Sequence, residues 1–212
     1  MTDPKKIYYR KRGELLVKNL KSRHFDAYYF DSREEALSKA IELIPLGSTI
    51  GWGGAMSAQQ IGLMSAVSAG GYNPINRDLC KSQEERDKAM RDCLSADVFI
   101  TGANGISIDG QMVNIDGNGN RVAAIIYGPK EVLVIAGMNK VTDDLEKAYQ
   151  RARNVAAPMN QQRFEKDLPC TVTGVCADSK CQDSICNQIV ITRHYRPAGR
   201  IKFNLVGEEL GL

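Results

Sequence analysis

The chain has 212 residues, 43% hydrophobic and 25% charged, which suits one large soluble domain or one domain with an appendage. Its 28 basic residues nearly balance 25 acidic ones, and a net charge of +3 argues against a nucleic-acid partner. No stretch reaches the ~20 apolar residues of a membrane helix, and the opening "MTDPKKIYYRKRG" has no apolar centre of a secretion signal, so a cytoplasmic, reducing setting without membrane contact is expected.

In chain order, the basic run Lys5, Lys6, Arg10, Lys11 and Arg12, interleaved with Tyr8 and Tyr9, reads as a solvated arm. Glu14 to Arg23 reads as a short helix and Ala27 to Phe30 as a strand. Ser32 and Glu35 have capping-box spacing ahead of a helix whose Ala36, Leu37, Ala40, Ile41 and Ile44 form one apolar stripe. "STIGWGG" is a strand running into a glycine turn, followed by a helix over Met56 to Ala69. Ser82 and Glu85 repeat the capping signal for Gln83 to Leu94.

"DVFITGAN" is a buried strand, and "ISIDGQMVNID" a hairpin turning at Asp109-Gly110. "EVLVIAG" is a continuous apolar strand. The helix Asp143 to Asn154 carries acids first and Arg151 and Arg153 last, as its dipole favours. "NQIVITR" and "RIKFNLVG" are two late strands. Strands alternating with helices, several of them apolar throughout, predict an α/β domain with a covered, largely parallel sheet flanked by helices. Ligands of such sheets gather at the carboxyl ends of strands. That rule selects Gly51 to Ser57, Thr101 to Asn104 and Gly137 to Lys140.

"GWGGAMS" has the strand-to-helix setting of an anion loop, since glycines admit a ligand to the backbone and the helix start offers free N–H groups. Met56 replaces the third glycine of a dinucleotide fingerprint, and no Gly-Lys-Ser/Thr ending follows. A bare tight turn is the alternative. "DGNGN" fails as a calcium loop because Arg121 and Tyr127 occupy the sixth and twelfth positions. It reads as a polar turn, with Asp116, Asn120 and Arg121 as a rim for a small polar ligand. His24 and His194 have no partner at metal or triad spacing and are expected in structural or surface roles. Cys80 and Cys93 read as isolated thiols, Cys93 as core filler.

Cys170, Cys176, Cys181 and Cys186 stand as C-x5-C-x4-C-x4-C in a polar stretch. Zinc and iron–sulfur loops usually have tighter gaps. The thiols could still converge on zinc or an iron–sulfur cluster, with Asp178 or Asp183 replacing one ligand. A disulfide or redox pair and free thiols are the other readings.

The stretch "DVFITGANGISIDGQMVNIDGNGNRVAAIIYGPKEVLVIAGMNKV", with "GWGGAMS" before it and "RARNVAAPMNQQR" after it, resembles the LUD (lactate-utilisation protein) domain family from about Ser48 to Arg193. The resemblance implies a Rossmann-like sheet of the NagB/RpiA/CoA-transferase-like fold, and a single domain over 1–212 with a cysteine-rich loop at 170–186. It further implies an accessory or enzyme component of organic-acid, lactate, utilisation, with a stand-alone enzyme of the isomerase or ligase type on the same fold as an alternative. Some members work beside iron–sulfur oxidoreductase partners that oxidise lactate to pyruvate. Cysteine-bearing tails resembling this one place the second and third cysteines as C-x2-C, whereas Ser179 stands at that third place here.

The CoA transferases of the fold attack with a glutamate, and the similar turn "GANG" has Ala103 there, which excludes that covalent route. Asp109, Asp116 and Lys140 do not match the spacing of its sugar-phosphate isomerases. The expected ligand is a small anionic metabolite. Gly51, Gly53, Gly54 and Ser57 would receive its anionic group, Lys140 would add charge, and Asn104, Asp116, Asn120 and Arg121 would line and orient it.

Overall fold

The computed structural model describes residues 3–177, 181 and 183–212, and within them strand and helix alternate as the sequence predicts. The strands in chain order are β1 (Asp26–Phe30), β2 (Thr49–Gly53), β3 (Asn73–Pro74), β4 (Val98–Thr101), β5 (Gly105–Ser107), β6 (Met112–Asp116), β7 (Glu131–Gly137), β8 (Val141–Thr142), β9 (Gln188–Thr192) and β10 (Ile201–Val206). The α-helices are α1 (Pro4–Ser22), α2 (Arg33–Glu42), α3 (Met56–Gln60), α4 (Leu63–Ala69), α5 (Gln83–Asp92), α6 (Asn120–Ile126), α7 (Leu145–Arg151), α8 (Ala157–Gln161) and α9 (Pro169–Thr173).

Six strands form one parallel sheet in the order β1-β10-β7-β4-β2-β3. Residues along its central strands alternate between two cores. Val132, Val134 and Ala136 join Leu16 and Leu20 of α1 and Ile125 of α6. Leu133 and Ile135 join Ala36 and Ala40 of α2 and Leu63 and Val67 of α4 on the opposite face. A period of two on a sheet covered on both sides produces this continuous apolar run. Each fully buried Leu, Ile or Val contributes about 1.5–3 kcal/mol, so these faces supply most of the fold's driving force.

The "ISIDGQMVNID" hairpin forms β5 and β6, which build a second sheet in the order β8-β5-β6-β9. The late strand β9 pairs antiparallel with β6 rather than joining the main sheet. Val113 and Ile115 of this sheet pack on Ala148 and Ala152 of α7 and the turn after it.

Three local expectations are revised. The basic N-terminal run is the first half of α1, because Asp3 caps it, accepting from Lys5 N at 2.9 Å, and Pro4 pre-sets the first turn. The helix predicted over Met56 to Ala69 is broken at Gly62, whose φ of +84 turns the chain between α3 and α4. Both capping signals are real at the cap, where Ser32 accepts from Glu35 N at 3.3 Å and Ser82 from Glu85 N at 3.1 Å. The return bonds, however, reach Asp31 N and Lys81 N, one residue before each cap. Among the described residues no helix is long and apolar enough to cross a membrane.

Candidate functional site

The sheet order makes the carboxyl ends of β2, β4 and β7 neighbours, so the three loops selected from the sequence meet. They border a cleft of about 660 Å³, closed on its far side by the β6–α6 turn and the start of α6. Gly53, Gly54, Ser57, Asn104, Asp116, Asn120, Arg121 and Lys140 all line it. Gly51 does not. It lies inside β2, where an added Cβ would sit 2.7 Å from Cys93 Sγ, so its role is close packing. Cys93 is 3% exposed, the core filler expected, and burial raises its thiol pKa.

The glycine turn closes on the protein's own arginine. Gly54 has φ +60, and a Cβ there would lie 3.0 Å from Arg121 Cδ and 3.1 Å from its Nη1. A Cβ on Gly53 would lie 3.3 Å from Arg121 Cβ. Turn geometry and close approach thus both require glycine. Thr101 Oγ1 ties β4 to β2 by donating to Gly53 O at 2.8 Å.

Arg121 enters from the first turn of α6 and is only 9% exposed. Its Nε donates to Asp116 Oδ2 at 3.2 Å, Nη1 to Asn114 Oδ1 at 2.9 Å, and Nη2 to Asn104 Oδ1 at 2.9 Å and Ile115 O at 2.5 Å. Asp116 also accepts from Gly119 N at 2.9 Å through Oδ1. Two of the expected rim residues, Asp116 and Arg121, therefore satisfy each other and, with Asn104 and Asn114, form a polar wall, while Asn120 lines the cleft outside that network. Burial lowers the Arg121 pKa, and the Asp116 charge works against that shift.

Lys140 ends the turn after β7 and is 2% exposed. Its Nζ donates to an oxygen of the last residue, Leu212, and no Asp or Glu pairs with it among the described residues. Burial lowers its pKa to about 7, with the charges of Arg151 and Arg121 adding to the shift. Arg151 is held by the carbonyls of Asn139 and Asn104. A Cβ on Gly211 would lie 2.7 Å from Ser57 Oγ and 3.3 Å from Lys140 Nζ, so hydroxyl and amine border the same small space. Arg77, Arg86, Arg163 and Lys166 also line the cleft, and none was selected from the sequence. Arg163 lies at the end of the family-like stretch "RARNVAAPMNQQR", the one signal that pointed there.

The cysteine loop contributes Asp183, Ser184 and Ile185 to the lining of this cleft. Lys166 Nζ donates to Asp183 O at 3.0 Å, and Asn187 N to Asp116 O at 3.0 Å. All six cysteines are free thiols. The Cys186 thiol is pushed up to about 11 by desolvation and by the neighbouring Cys176, Cys170 and Cys181, which places the four in one neighbourhood. Yet no three His, Cys, Asp or Glu side chains stand close enough to hold a metal ion among the described residues. Asp178 and Ser179 lie outside the described residues. The two histidines, 170 residues apart, meet each other at 3.1 Å between His194 Nε2 and His24 Nδ1, a pairing no sequence spacing announces.

No curated protein matches the chain. Among solved structures, a DUF162 family protein from Deinococcus radiodurans is similar at 12% identity and a TM-score of 0.50, covering 95% of this chain and 97% of that one. Ribose 5-phosphate isomerase A from Neisseria gonorrhoeae is similar over 53% of this chain and 54% of its own, at 22% identity and TM-score 0.33. The eIF2B delta subunit from Chaetomium thermophilum covers 66% and 57%, at 13% and 0.38. Residues 13–206 match the LUD domain, and the chain belongs to the LUD domain family.

Proposed function

We propose that the cleft binds a small anionic organic acid and that the protein is an accessory or enzyme component of organic-acid, lactate, utilisation. One observation supports this above the rest: a nearly buried lysine at the cleft that no Asp or Glu pairs with among the described residues, its Nζ meeting instead an oxygen of the last residue, Leu212. An ammonium taken out of water is costly unless an opposite charge meets it. A ligand carboxylate would be that charge, with Ser57 Oγ as a second donor. The Asn104–Asp116–Arg121 wall would orient the ligand by shape and field rather than by free N–H groups. Lys140 would bind as the protonated form, so affinity should weaken as pH rises above about 7.

The test is calorimetric titration with L-lactate and with pyruvate, against the protein and Lys140→Met. Loss of a charge-assisted hydrogen bond of about 1.5–3 kcal/mol predicts at least a tenfold weaker Kd for the variant. Equal affinity of variant and parent for the acids would remove the reading.

A second reading, a zinc- or iron–sulfur-bearing redox protein working beside oxidoreductase partners, is supported by the mutual influence of the four loop thiols. It requires the loop to close on the metal. Metal and acid-labile sulfide content after anaerobic purification, beside a Cys176→Ser/Cys186→Ser variant, decides it. Stoichiometric metal that the variant loses supports the reading, and metal-free protein rejects it.

A further inference from the structure

Arg77 lies at the opposite end of the cleft from Lys140. It opens a turn after β3, where Pro74 pairs with Ile50. The chain then leaves the sheet and turns at Arg77, on the same carboxyl-terminal side of the sheet as Gly53, the last residue of β2. Lys140 follows β7, and the order β7-β4-β2-β3 sets the strands that lead to the two residues three spacings apart, about 14 Å at the backbone, a gap that their long side chains can narrow. Arg121 stands between them, its guanidinium over the Gly53-Gly54 turn.

Arg77 is half-buried, and its Nε is fully buried with no hydrogen-bond partner. No ion pair holds its guanidinium among the described residues. The nearby Asp78 belongs to Arg86, at 3.8 Å, and Asp116 belongs to Arg121, at 3.2 Å. Arg77 is also close enough to Arg121 for its charge to disfavour the protonated form of that residue. Two neighbouring guanidiniums that both line the cleft, one of them without a carboxylate, leave positive charge beside it. The planar fork of arginine matches the oxygens of a phosphate, which can accept two parallel bonds at once.

Size points the same way. A cleft of about 660 Å³ is far larger than a three-carbon acid requires, and its cationic ends are separated. We infer that the ligand is a phosphorylated small organic acid, with its carboxylate at Lys140 and its phosphate on Arg77. This rests on the reading of Lys140 as a carboxylate anchor and adds a second subsite to it.

The test is calorimetric titration of the full chain with D-glycerate, 3-phospho-D-glycerate and inorganic phosphate, for the parent, Arg77→Gln, Arg77→Lys and Lys140→Met. The phosphorylated acid should bind about tenfold or more tightly than glycerate. Arg77→Gln should shrink that ratio to below about threefold, and Arg77→Lys, which keeps charge but not the fork, should fall between. Inorganic phosphate should compete with the phosphorylated acid in the parent and not in Arg77→Gln. Melting curves of each variant show that it is folded.

Equal affinity for the two acids in the parent, or an unchanged ratio in Arg77→Gln, overturns the phosphate subsite alone. An Arg77-dependent ratio that survives Lys140→Met with both affinities unchanged overturns the carboxylate anchor and leaves the phosphate subsite standing. Absence of binding by all three probes overturns both.

Discussion

Arg121 Nε lies 3.2 Å from Asp116 Oδ2, with both residues more than nine-tenths buried, and the pair joins the start of α6 to the end of β6. Three further oxygens, from Asn104 and Asn114 at 2.9 Å each and from the Ile115 carbonyl at 2.5 Å, accept from the arginine. Charge burial is tolerable here because the pair is matched in geometry and four of the guanidinium's N–H groups find oxygens.

Arg121→Met would leave the Asp116 carboxylate without its cation and the Asn114 amide oxygen unmet, while Asn104 Oδ1 keeps its bond from Ile115 N. Removing one partner of a buried pair costs about 3–5 kcal/mol. Urea unfolding of the variant should show a loss of that order. A loss below about 1 kcal/mol would mean that water already solvates the wall.

The glycine turn makes a paired prediction. Gly47 has φ +79 with nothing within 4 Å of an added Cβ, whereas Gly54 has φ +60 with Arg121 Cδ at 3.0 Å. Gly47→Ala should cost only the left-handed backbone term, about 1–2 kcal/mol. Gly54→Ala adds contact with the arginine and should cost about 1 kcal/mol more. Equal losses in denaturant unfolding would contradict the close packing of Arg121 on the turn.

Lys140 gives stability a pH dependence of known sign. Its pKa falls from 10.5 in the unfolded chain to about 7 in the folded protein, by burial and then the charges of Arg151 and Arg121. Between those values the unfolded chain binds the extra proton, so folding gains as pH rises across the window, by on the order of a few kcal/mol. Below about pH 7 the whole penalty stands. Lys140→Met should therefore be more stable than the parent at pH 6, with the advantage shrinking toward pH 9. A difference independent of pH would contradict a depressed lysine.

Much of this molecule was legible where the chemistry is local. Ser32 and Ser82 announced their helices, the Asp109-Gly110 turn announced the hairpin, and the apolar strands announced a sheet covered on both faces. The strand-end rule then named three loops that the sheet order brings together. Long-range relations were not legible. Nothing near Arg77 says that a two-residue strand will carry it beside Arg121. Nor does anything near His24 say that residue 194 will meet it. Asp116, Asn104 and Arg121 could be named as site residues, but not that they would use their hydrogen bonds on one another. The N-terminal basic run misled because its charges suggested an arm, while Asp3 and Pro4 supplied a helix start. Gly51 misled because one glycine of a ligand-like turn serves packing against Cys93.

The account depends most on Lys140 acting as the anchor for an anion. Its Nζ titration can be followed by NMR of lysine-labelled protein, assigned by the Lys140→Met variant, with and without saturating organic acid. The account predicts a midpoint near 7 in the free protein, rising by about one unit or more when the carboxylate is bound. A midpoint near the ordinary 10.5, or one that does not move under ligand saturation, would contradict it.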